Sequence, residues 1–533
     1  MMATQQHAAT EWSLQSDVDR GPEAGEVTVD AVVTYPDGTE RPVPAFWSGG
    51  RTWTIRWSSP QVGRHSWTTL CSDPDDADLH GREGTVEVTP DTGEYPLLSR
   101  GALRVAASRR YLEHRDGTPF FWLGDTWWMG LCQRLGWPGE FQALVRDRID
   151  KGFTVVQIVA GLYPDMPAFD ERGRNEAGFP WREGWEGIRP EYFDLADRRI
   201  HYLVREGLVP CIVGCWGYYL PWLGGERMRQ HWRYLVARWG AYPVIWCPAG
   251  EGSMPYYLSE DKEGDRQRQQ TGWTEMARYL RQIDPYGHPI TIHPSVSARA
   301  TVDDPAVLDL DMLQTGHGDR GSIPNTLRVV GEAYRAAPPM PVVQGEVCYE
   351  GIGEACRQEV QRYMVWACVL SGAAGFTYGA NGIWQVNTRR RPYGASPHGM
   401  AWGHTPWDEA AQLPGSSQIG LARRLLERYE WWRFEPRPEW VADPATPERW
   451  QRPLAAGIAG QVRVLYLPSG VWGIEVQGLE ADRPYSAYLY DPVNGDEIDL
   501  GPAEVAADGT WRPPLARQPI YQDWVVVLDA TAG

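Results

Sequence analysis

The hydrophobic pattern of the chain changes twice along its length. Over residues 11–93, apolar and polar positions alternate, so that Trp53, Ile55 and Trp57 share one face of the run 52–57. This period of two is typical of a half-buried strand, and similar strands are predicted over residues 27–34, 60–67 and 84–89, with a turn at 36–38. The pattern predicts an immunoglobulin-like β-sandwich preceded by a disordered N-terminus over residues 1–10. We expect this sandwich to pack against its neighbour, with ligand binding as the alternative role.

Between residues 94 and 435, short apolar runs alternate with amphipathic stretches. Apolar runs bounded by turn residues are typical of parallel strands that are covered on both faces by helical crossovers. Eight such runs occur, over residues 120–124, 154–160, 209–214, 244–247, 289–293, 310–314, 341–344 and 374–378. Three helical faces are indicated by Phe141, Leu144, Val145 and Ile149, by Ile200, Leu203 and Val204, and by Trp232, Leu235, Val236 and Trp239. Eight strands match a (β/α)8 TIM barrel, and an open sheet is the alternative because aspartates interrupt the sixth run.

Strand patterns return after the proline-rich segment 431–438, which stops a helix. They cover residues 462–467, 472–476, 486–490 and 524–528. Residues 436–533 are therefore predicted to form a second, small β-sandwich. The predicted fold class is α/β, a (β/α)8 barrel flanked by an N-terminal and a C-terminal β-sandwich domain.

Composition limits the partners. The 533 residues carry a formal net charge of −18, which disfavours nucleic acid and anionic membranes. No apolar run approaches the roughly 20 residues that span a bilayer, and the N-terminus lacks the basic start and apolar core of a signal peptide. The eight cysteines show no CxxC spacing, so reduced, buried thiols and a cytoplasmic location are expected. The sequence leaves the oligomeric state open, a homo-oligomer included.

Two glutamates carry the candidate chemistry. The fourth and seventh apolar runs are each followed by a Gly-Glu pair that ends in Glu251 and Glu346, and residues just past a barrel strand lie on its ligand-binding rim. Hydrolysis of a glycosidic bond requires two carboxyl groups, one as acid and one as nucleophile or base. Aromatic neighbours favour a raised pKa for Glu251 as general acid, and Glu346 is predicted to be the ionised nucleophile of a retaining reaction. The alternative for each is an ion pair with arginine at the rim.

Other rim residues are candidates for substrate binding. The chain has 28 tryptophans and 25 tyrosines, whose rings stack on the flat faces of sugars, although most are expected in the interior. The candidates are Asp125, Trp127, Trp128, Tyr163, Trp216, His293, His317, Tyr349 and Trp384. Asp125 has two alternatives, replacing Glu251 as the acid or capping a turn, and a structural role is the alternative for each histidine. No metal is expected because no HxH or HxxxH spacing occurs, and no cofactor because nucleotide-binding glycine motifs are absent.

Three of these motifs resemble a known family. Residues 124–128 (Gly-Asp-Thr-Trp-Trp), 249–251 (Ala-Gly-Glu) and 345–350 (Gly-Glu-Val-Cys-Tyr-Glu) are similar to the apiosidase-like glycoside hydrolases, a (β/α)8 family, over about residues 95–435. The N-terminal region resembles the immunoglobulin-like domain (DUF5060-like) that often precedes such barrels, and the tail resembles the β-domain that often follows. The resemblance implies Glu251 as acid/base and Glu346 as nucleophile.

This chain departs from the family pattern at two positions. The family usually has Gly-Gly-Asp where Ala-Gly-Glu251 stands here, and proline where this chain has Val347. The longer side chain shifts the acid, so the resemblance does not imply the family's specificity for apiose.

The sequence therefore predicts a cofactor-independent, retaining glycoside hydrolase that acts on a carbohydrate substrate. Exo action on a terminal sugar is expected if the long loop over about residues 163–190, with Trp181 and Trp185, walls the mouth of the site into a pocket. The alternatives are an endo-acting glycanase of the same fold and a non-catalytic carbohydrate-binding or scaffolding protein.

Overall fold

A computed structural model describes residues 2–471, 473–480, 482–514 and 521–530. In these ranges the chain forms two antiparallel β regions on either side of a central α/β region. None of the helices in the described part combines the length and hydrophobicity needed to cross a bilayer.

The N-terminal region is a sandwich of two sheets. Its strands are β1 (Met2–Gln5), β2 (Thr10–Gln15), β3 (Val29–Thr34), β4 (Glu40–Pro44), β5 (Phe46–Gly49), β6 (Thr52–Trp57), β7 (Gly63–Cys71) and β8 (Glu83–Thr89). One sheet has the order β1-β8-β7-β3-β4 and the other β2-β6-β5. Trp53, Ile55 and Trp57 are buried between them, as the alternating pattern predicted.

The structure differs from the sequence prediction at the N-terminus. Residues 1–10 were predicted to be disordered, but Met2–Gln5 forms β1 and pairs in parallel with β8, with Met2 opposite Val86. The prediction is wrong for these residues because the edge of β8 offers unpaired backbone groups that the start of the chain satisfies.

The sandwich is joined to the central region through the second face of β6. Arg56 is buried there and donates to Asp197 at 2.8 Å, to Glu11 at 2.5 Å and to the carbonyl oxygen of Arg238. A buried guanidinium requires several acceptors, and these come from both regions.

The central region contains a curled, parallel sheet of seven regular strands. They are β12 (Trp122–Trp127), β13 (Val155–Val159), β14 (Val209–Val213), β15 (Ile245–Cys247), β16 (Asp311–Gln314), β17 (Val342–Glu346) and β18 (Gly375–Tyr378). The order is β15-β14-β13-β12-β18-β17-β16, and every strand residue is buried. A small antiparallel sheet of β9 (Leu103–Val105), β10 (Leu112–His114) and β11 (Pro119–Phe120) precedes it.

The sheet was predicted to have eight strands, and the described residues form seven. Residues 289–293, the predicted fifth strand, make only an isolated parallel bridge between Ile290 and Trp246. Backbone bonds nevertheless connect this segment to both neighbours, from Thr291 N to Trp246 O at 2.9 Å and from Asp309 N to Ile290 O at 2.8 Å.

Helices cover the outside of the sheet. They are α1 (Pro96–Ser99), α2 (Gly139–Asp150), α3 (Pro190–Arg205), α4 (Tyr219–Leu223), α5 (Gly225–Trp239), α6 (Lys262–Ile283), α7 (Ala298–Thr301), α8 (Ile323–Arg335), α9 (Gln358–Leu370), α10 (Trp407–Ala410) and α11 (Pro414–Leu426). The three predicted helical faces lie on α2, α3 and α5 and point into the core; of their residues only Ile149 is not fully buried.

The C-terminal region is built on one antiparallel sheet. Its strands are β19 (Glu435–Pro436), β20 (Leu454–Ile458), β21 (Val462–Leu467), β22 (Ser486–Tyr490), β23 (Glu497–Pro502) and β24 (Trp524–Asp529), in the order β19-β20-β21-β24-β22-β23. The predicted strand 472–476 is reduced to bridges from Val476 to Val441 and Trp511, and Trp472 lies outside the described residues. Among the described residues, the predicted second layer of the sandwich is therefore not a regular sheet.

Candidate active site

Glu251 and Glu346 meet at the rim of the central sheet. Gln314, the last residue of β16, donates through Nε2 to Oε1 of Glu251 at 3.0 Å and to Oε1 of Glu346 at 3.2 Å. Because both oxygens contact the same nitrogen, they lie no farther apart than the sum of these distances, about 6 Å. The register between β16 and β17 shifts after Leu313, so that Gln314 pairs with Glu346. The side-chain amide of Gln314 thereby lies between the two acids.

Two further side chains form hydrogen bonds with Glu346, and a third lies close to it. Tyr349 donates its hydroxyl to Oε2 at 2.6 Å, and the Nε2 atom of His317 lies 2.8 Å from Oε1. The Nε2 atom of His293 lies 3.2 Å from Oε2. Trp128 in turn donates to the Tyr349 hydroxyl at 3.0 Å, so the orientation of the carboxylate is set by residues from several strand ends.

The surroundings separate the pKa values of the two acids. Burial by itself raises the pKa of Glu346, but hydrogen bonds and charge from His293 and His317 outweigh this effect and lower it to about 2. For Glu251, burial and the negative charge of Glu346 raise the pKa, and the contacts to Gln314 and the histidines only partly oppose this. Glu346 is therefore ionised at neutral pH, while Glu251 retains its proton more strongly than an ordinary glutamate.

Glu251 is held in an unusual backbone conformation. Its φ of 42° lies in the left-handed region that a residue with a side chain rarely adopts. The preceding Gly250 is required by close packing, since a Cβ atom there would lie 2.2 Å from the ring of Trp216. That indole donates to Oε2 of Glu251 at 3.3 Å. Strained residues of this kind concentrate at functional sites.

The two acids line a cavity of about 200 Å³, space for about seven water molecules. Aromatic rings form much of its wall, and Trp128 and Trp216 meet edge to face at 5.4 Å between ring centroids. The lining residues are Trp128, Pro164, Asp165, Trp216, Glu251, Met254, Tyr257, His317, Glu346, Tyr349, Ile352, Trp384, His398 and Trp402. Apolar walls with a few converging polar groups are typical of a small-molecule site.

Most of the rim residues predicted from the sequence meet at this cavity. Glu251 and Glu346 are joined there by Trp128, Trp216, His317, Tyr349 and Trp384. His293 is fully buried behind the carboxylates, with its ring 5.2 Å from that of Trp128.

Three predicted substrate-binding residues lie elsewhere. Asp125 and Trp127 are inside β12, which extends three residues beyond the predicted strand, and both are fully buried. Side chains alternate along a strand, so this face of β12 turns towards α2, where Arg148 donates to Asp125 at 2.6 Å. Tyr163 is also buried, and its hydroxyl contacts that of Tyr192 at 2.7 Å. None of the three lines the cavity.

Two important polar residues of the site were not predicted. Gln314 ends the sixth predicted run, so the same rim rule that selected the glutamates could have found it. Asp165 follows β13 within a long loop, and no local signal in the sequence distinguishes it. It is 3% exposed, has a φ of 61° and accepts a hydrogen bond from Trp402 at 3.3 Å. Burial raises the pKa of Asp165 to about 6, against the opposing effects of Trp402, of the charge of Arg172 and of the nearby hydroxyl groups of Tyr257 and Ser396.

Metal-binding clusters and disulfides do not occur in the described part of the chain. Within it, no group of three or more His, Cys, Asp or Glu side chains is arranged to hold a metal ion. All eight cysteines are buried free thiols.

Structural comparison shows that the fold is shared with other proteins. A glycoside hydrolase family 5 protein from Bacteroides vulgatus is 24% identical with a TM-score of 0.67, over 81% of this chain and 94% of its own. A further structure described as a glycoside hydrolase is 22% identical with a TM-score of 0.64, over 82% and 98% of the two chains. A second Bacteroides vulgatus protein, 15% identical, covers 99% of this chain and 100% of its own with a TM-score of 0.72. At these identities the likeness establishes the fold alone.

Family models match two parts of the sequence. A domain of unknown function, DUF5060, matches residues 3–72, and the apiosidase-like catalytic domain matches residues 106–433, more than half of the chain. No curated protein matches the chain in a sequence comparison. The resemblance seen in the sequence motifs is confirmed. With its paired acids in an aromatic cavity, the chain belongs to the apiosidase-like family of glycoside hydrolases.

Proposed function

We propose that the protein is a retaining, exo-acting glycoside hydrolase that releases a terminal sugar with Glu346 as nucleophile and Glu251 as general acid/base. The observation that carries this proposal is the shared contact of Gln314 with both carboxylates. The two Oε1 atoms are therefore at most about 6 Å apart. This bound supports the roughly 5–5.5 Å separation of the carboxyl groups in retaining enzymes over the roughly 6.5–9.5 Å that accommodates a water in inverting ones.

The role of each acid follows from its pKa. Glu346, with its pKa lowered to about 2, is ionised and attacks the anomeric carbon. Glu251, with its pKa raised, donates its proton to the departing oxygen. The departure of the aglycone leaves a glycosyl ester on Glu346, and Glu251, now ionised, removes a proton from the water that cleaves this ester.

Exo action is supported by the size and walls of the cavity. A volume of about 200 Å³ suits a single sugar ring better than an extended chain. The loop after β13 contributes Pro164 and Asp165 to the wall, and the segment after β18 contributes Trp384, His398 and Trp402. Two loops from different strands thus contribute to the wall on which this part of the proposal rests.

We also propose that residues 289–293 take the place of the fifth strand and close the sheet into a (β/α)8 barrel. The backbone bonds from this segment to Trp246 and to Asp309, on its two sides, support this closure. In such a barrel the carboxyl ends of all the strands face one site.

The test is hydrolysis of a panel of aryl glycosides by the wild type and by glutamine variants. Glu346→Gln is expected to lower kcat/KM by several orders of magnitude for every cleaved substrate, because the nucleophile is lost. Glu251→Gln should lose much less activity on substrates whose leaving group departs without a proton. Glu263→Gln, at a side chain 82% exposed on α6, is the matched control and should be unaffected.

The stereochemical outcome is read separately. Proton NMR of the first sugar released should show the anomer of the substrate. With azide added, Glu346→Gly should form a glycosyl azide of inverted configuration, whereas Glu251→Gly should form one of retained configuration. Release of the opposite anomer by the wild type would refute the retaining mechanism, and full activity of Glu346→Gln would refute the assignment of the nucleophile.

A further inference from the structure

Asp165 is a buried acid that the proposed chemistry does not use. It lines the cavity together with Glu251 and Glu346, but it comes from a different loop. Its Oδ2 atom accepts from Trp402 at 3.3 Å, whereas its Oδ1 atom is buried without a hydrogen-bond partner in the described part of the chain. A buried carboxylate oxygen left without a donor is costly, so such an atom in a cavity wall indicates a place for a ligand donor.

The neighbouring cation does not supply that donor. Arg172 acts on Asp165 through its charge, but its guanidinium is bound to Asp170, with Nε and Nη2 at 2.9 and 2.7 Å from the two carboxylate oxygens. Its ring-facing contact is with Tyr393, 4.8 Å from the ring centroid. Arg172 is thus engaged by Asp170 and Tyr393, and it makes no hydrogen bond to Oδ1 of Asp165.

The charge of the cavity restricts the ligand further. Three carboxyl groups line it, and no arginine or lysine does so within the described residues. A ligand that carries its own carboxylate would meet repulsion from these acids, which His317, already paired with Glu346, offsets only in part. Hydroxyl groups of a neutral ligand, in contrast, would provide the hydrogen bonds that Asp165 lacks.

The backbone conformation of Asp165 also supports a ligand-binding role. Its φ of 61° is left-handed, a conformation that aspartate, asparagine and glycine tolerate better than other residues. Trp402 fixes the carboxylate from the opposite loop, and that tryptophan's backbone is itself tied by a bond from Gly353 N to Trp402 O at 3.1 Å. The acid is therefore held in place before any ligand arrives.

We propose that Asp165, held by Trp402, is the specificity-determining residue that binds a hydroxyl group of a neutral terminal sugar and discriminates against uronic acids. This inference rests on the proposed glycosidase activity and adds a substrate class to it. Trp402 orients the carboxylate, and the sugar hydroxyl donates to the oxygen that has no protein partner.

The experiment uses the full chain and 4-nitrophenyl glycosides of neutral hexoses and pentoses, their monodeoxy counterparts and the matching uronides. For the best neutral substrate, removal of one particular hydroxyl should lower the kcat/KM of the wild type about ten- to hundredfold, the usual effect of a hydrogen bond to a charged group. In Asp165→Gly, which the left-handed backbone accommodates, removal of the same hydroxyl should have no further effect. Removal of the other hydroxyls should lower activity in the variant as in the wild type.

Asp165→Asn tests the role of charge. It keeps the shape and the left-handed preference, and it should reduce the wild-type preference for the neutral sugar over its uronide by about tenfold or more. Glu171→Gln, an exposed acid of the same loop that pairs with Arg174, is the control and should change neither ratio. Melting temperatures of all variants separate these effects from misfolding.

The outcomes distinguish this inference from the proposed function. If the wild type cleaves the panel but the Asp165 variants show no interaction with any hydroxyl, the specificity role is refuted and the hydrolase remains. Equal cleavage of uronides and neutral glycosides by the wild type would refute the charge argument. If the wild type cleaves none of the panel, the proposed function fails and the inference fails with it.

Discussion

The buried pair of Asp125 and Arg148 offers a decisive test because two roles for Asp125 predict opposite phenotypes. Both side chains are fully buried, and Nε of Arg148 donates to Oδ2 of Asp125 at 2.6 Å. Trp127 donates to the same oxygen at 2.7 Å, and the backbone of Thr126 donates to Oδ1 at 2.9 Å. Asp125→Ala would therefore leave an arginine and an indole without their acceptor.

The expected loss of stability can be worked out from these contacts. Removing one partner of a buried ion pair costs about 3–5 kcal/mol. Arg148 keeps contacts to Asp147 and to the carbonyl oxygen of Ala411, so the lower end, about 3 kcal/mol, is expected. With an unfolding entropy of about 2.1 cal/mol/K per residue over residues 106–433, this loss corresponds to a fall in melting temperature of about 4 °C.

The assay combines thermal unfolding with kinetics. Arg148→Met and the double variant Asp125→Ala/Arg148→Met complete a double-mutant cycle, in which the double variant should lose about 1–3 kcal/mol less stability than the two single changes together. For the folded Asp125→Asn variant, KM should equal that of the wild type, because Asp125 does not line the cavity. An unchanged melting temperature for Asp125→Ala, together with a tenfold rise in KM for Asp125→Asn, would refute this reasoning and make Asp125 a substrate-binding residue.

Three further outcomes are expected. The kcat/KM of the wild type should fall as pH rises through the raised pKa of Glu251, because the general acid loses its proton. This decrease should be smaller for aryl glycosides whose leaving group needs no protonation. A decrease of equal size for all leaving groups would assign the titration to another residue. Tyr349→Phe removes the 2.6 Å hydrogen bond to Glu346 and should lower kcat by about ten- to hundredfold with little change in melting temperature. Unchanged kinetics would contradict the role of Tyr349 in positioning the Glu346 carboxylate. Arg56→Met removes the ion pair to Asp197 across the domain interface. The variant should be more sensitive to limited proteolysis in the N-terminal sandwich, and its KM should be unchanged. A cleavage rate equal to that of the wild type would show that other contacts hold the interface.

The periodicity of the sequence was sufficient to predict a strand where the buried side chains alternate regularly along it. The run 52–57 has strict alternation, and the strand forms over the predicted residues. In the C-terminal region, strands also form over the predicted residues 462–467 and 486–490. The parallel runs of the central region gave the order of its strands along the chain, because strands buried on both faces are uniformly apolar.

Periodicity failed where an element depends on contacts with distant parts of the chain. Residues 289–293 have the composition of a strand but make only one isolated bridge. Residues 2–5 carry no strong strand signal and still form a strand, because the edge of β8 is available to them. In both cases the outcome depended on what the neighbouring backbone offered.

Some residues of the candidate site could likewise be predicted from the sequence, and others could not. Glu251 and Glu346 could be found from the sequence because each follows a buried strand, and parallel strands deliver their carboxyl ends to one rim. The exclusion of Asp125 could not be predicted, since a difference of three residues in the end of β12 determines whether its side chain meets solvent or Arg148.

The sequence by itself indicated the order of the elements, the family and two candidate acids, since these depend on local composition and on motifs a few residues long. The tertiary structure alone decided that Gln314 bridges the acids, that their pKa values diverge and that Asp165 enters the cavity wall. Those properties arise from charges and hydrogen bonds between residues tens to hundreds of positions apart. Such interactions exist only once the sheet has curled and brought its strand ends together.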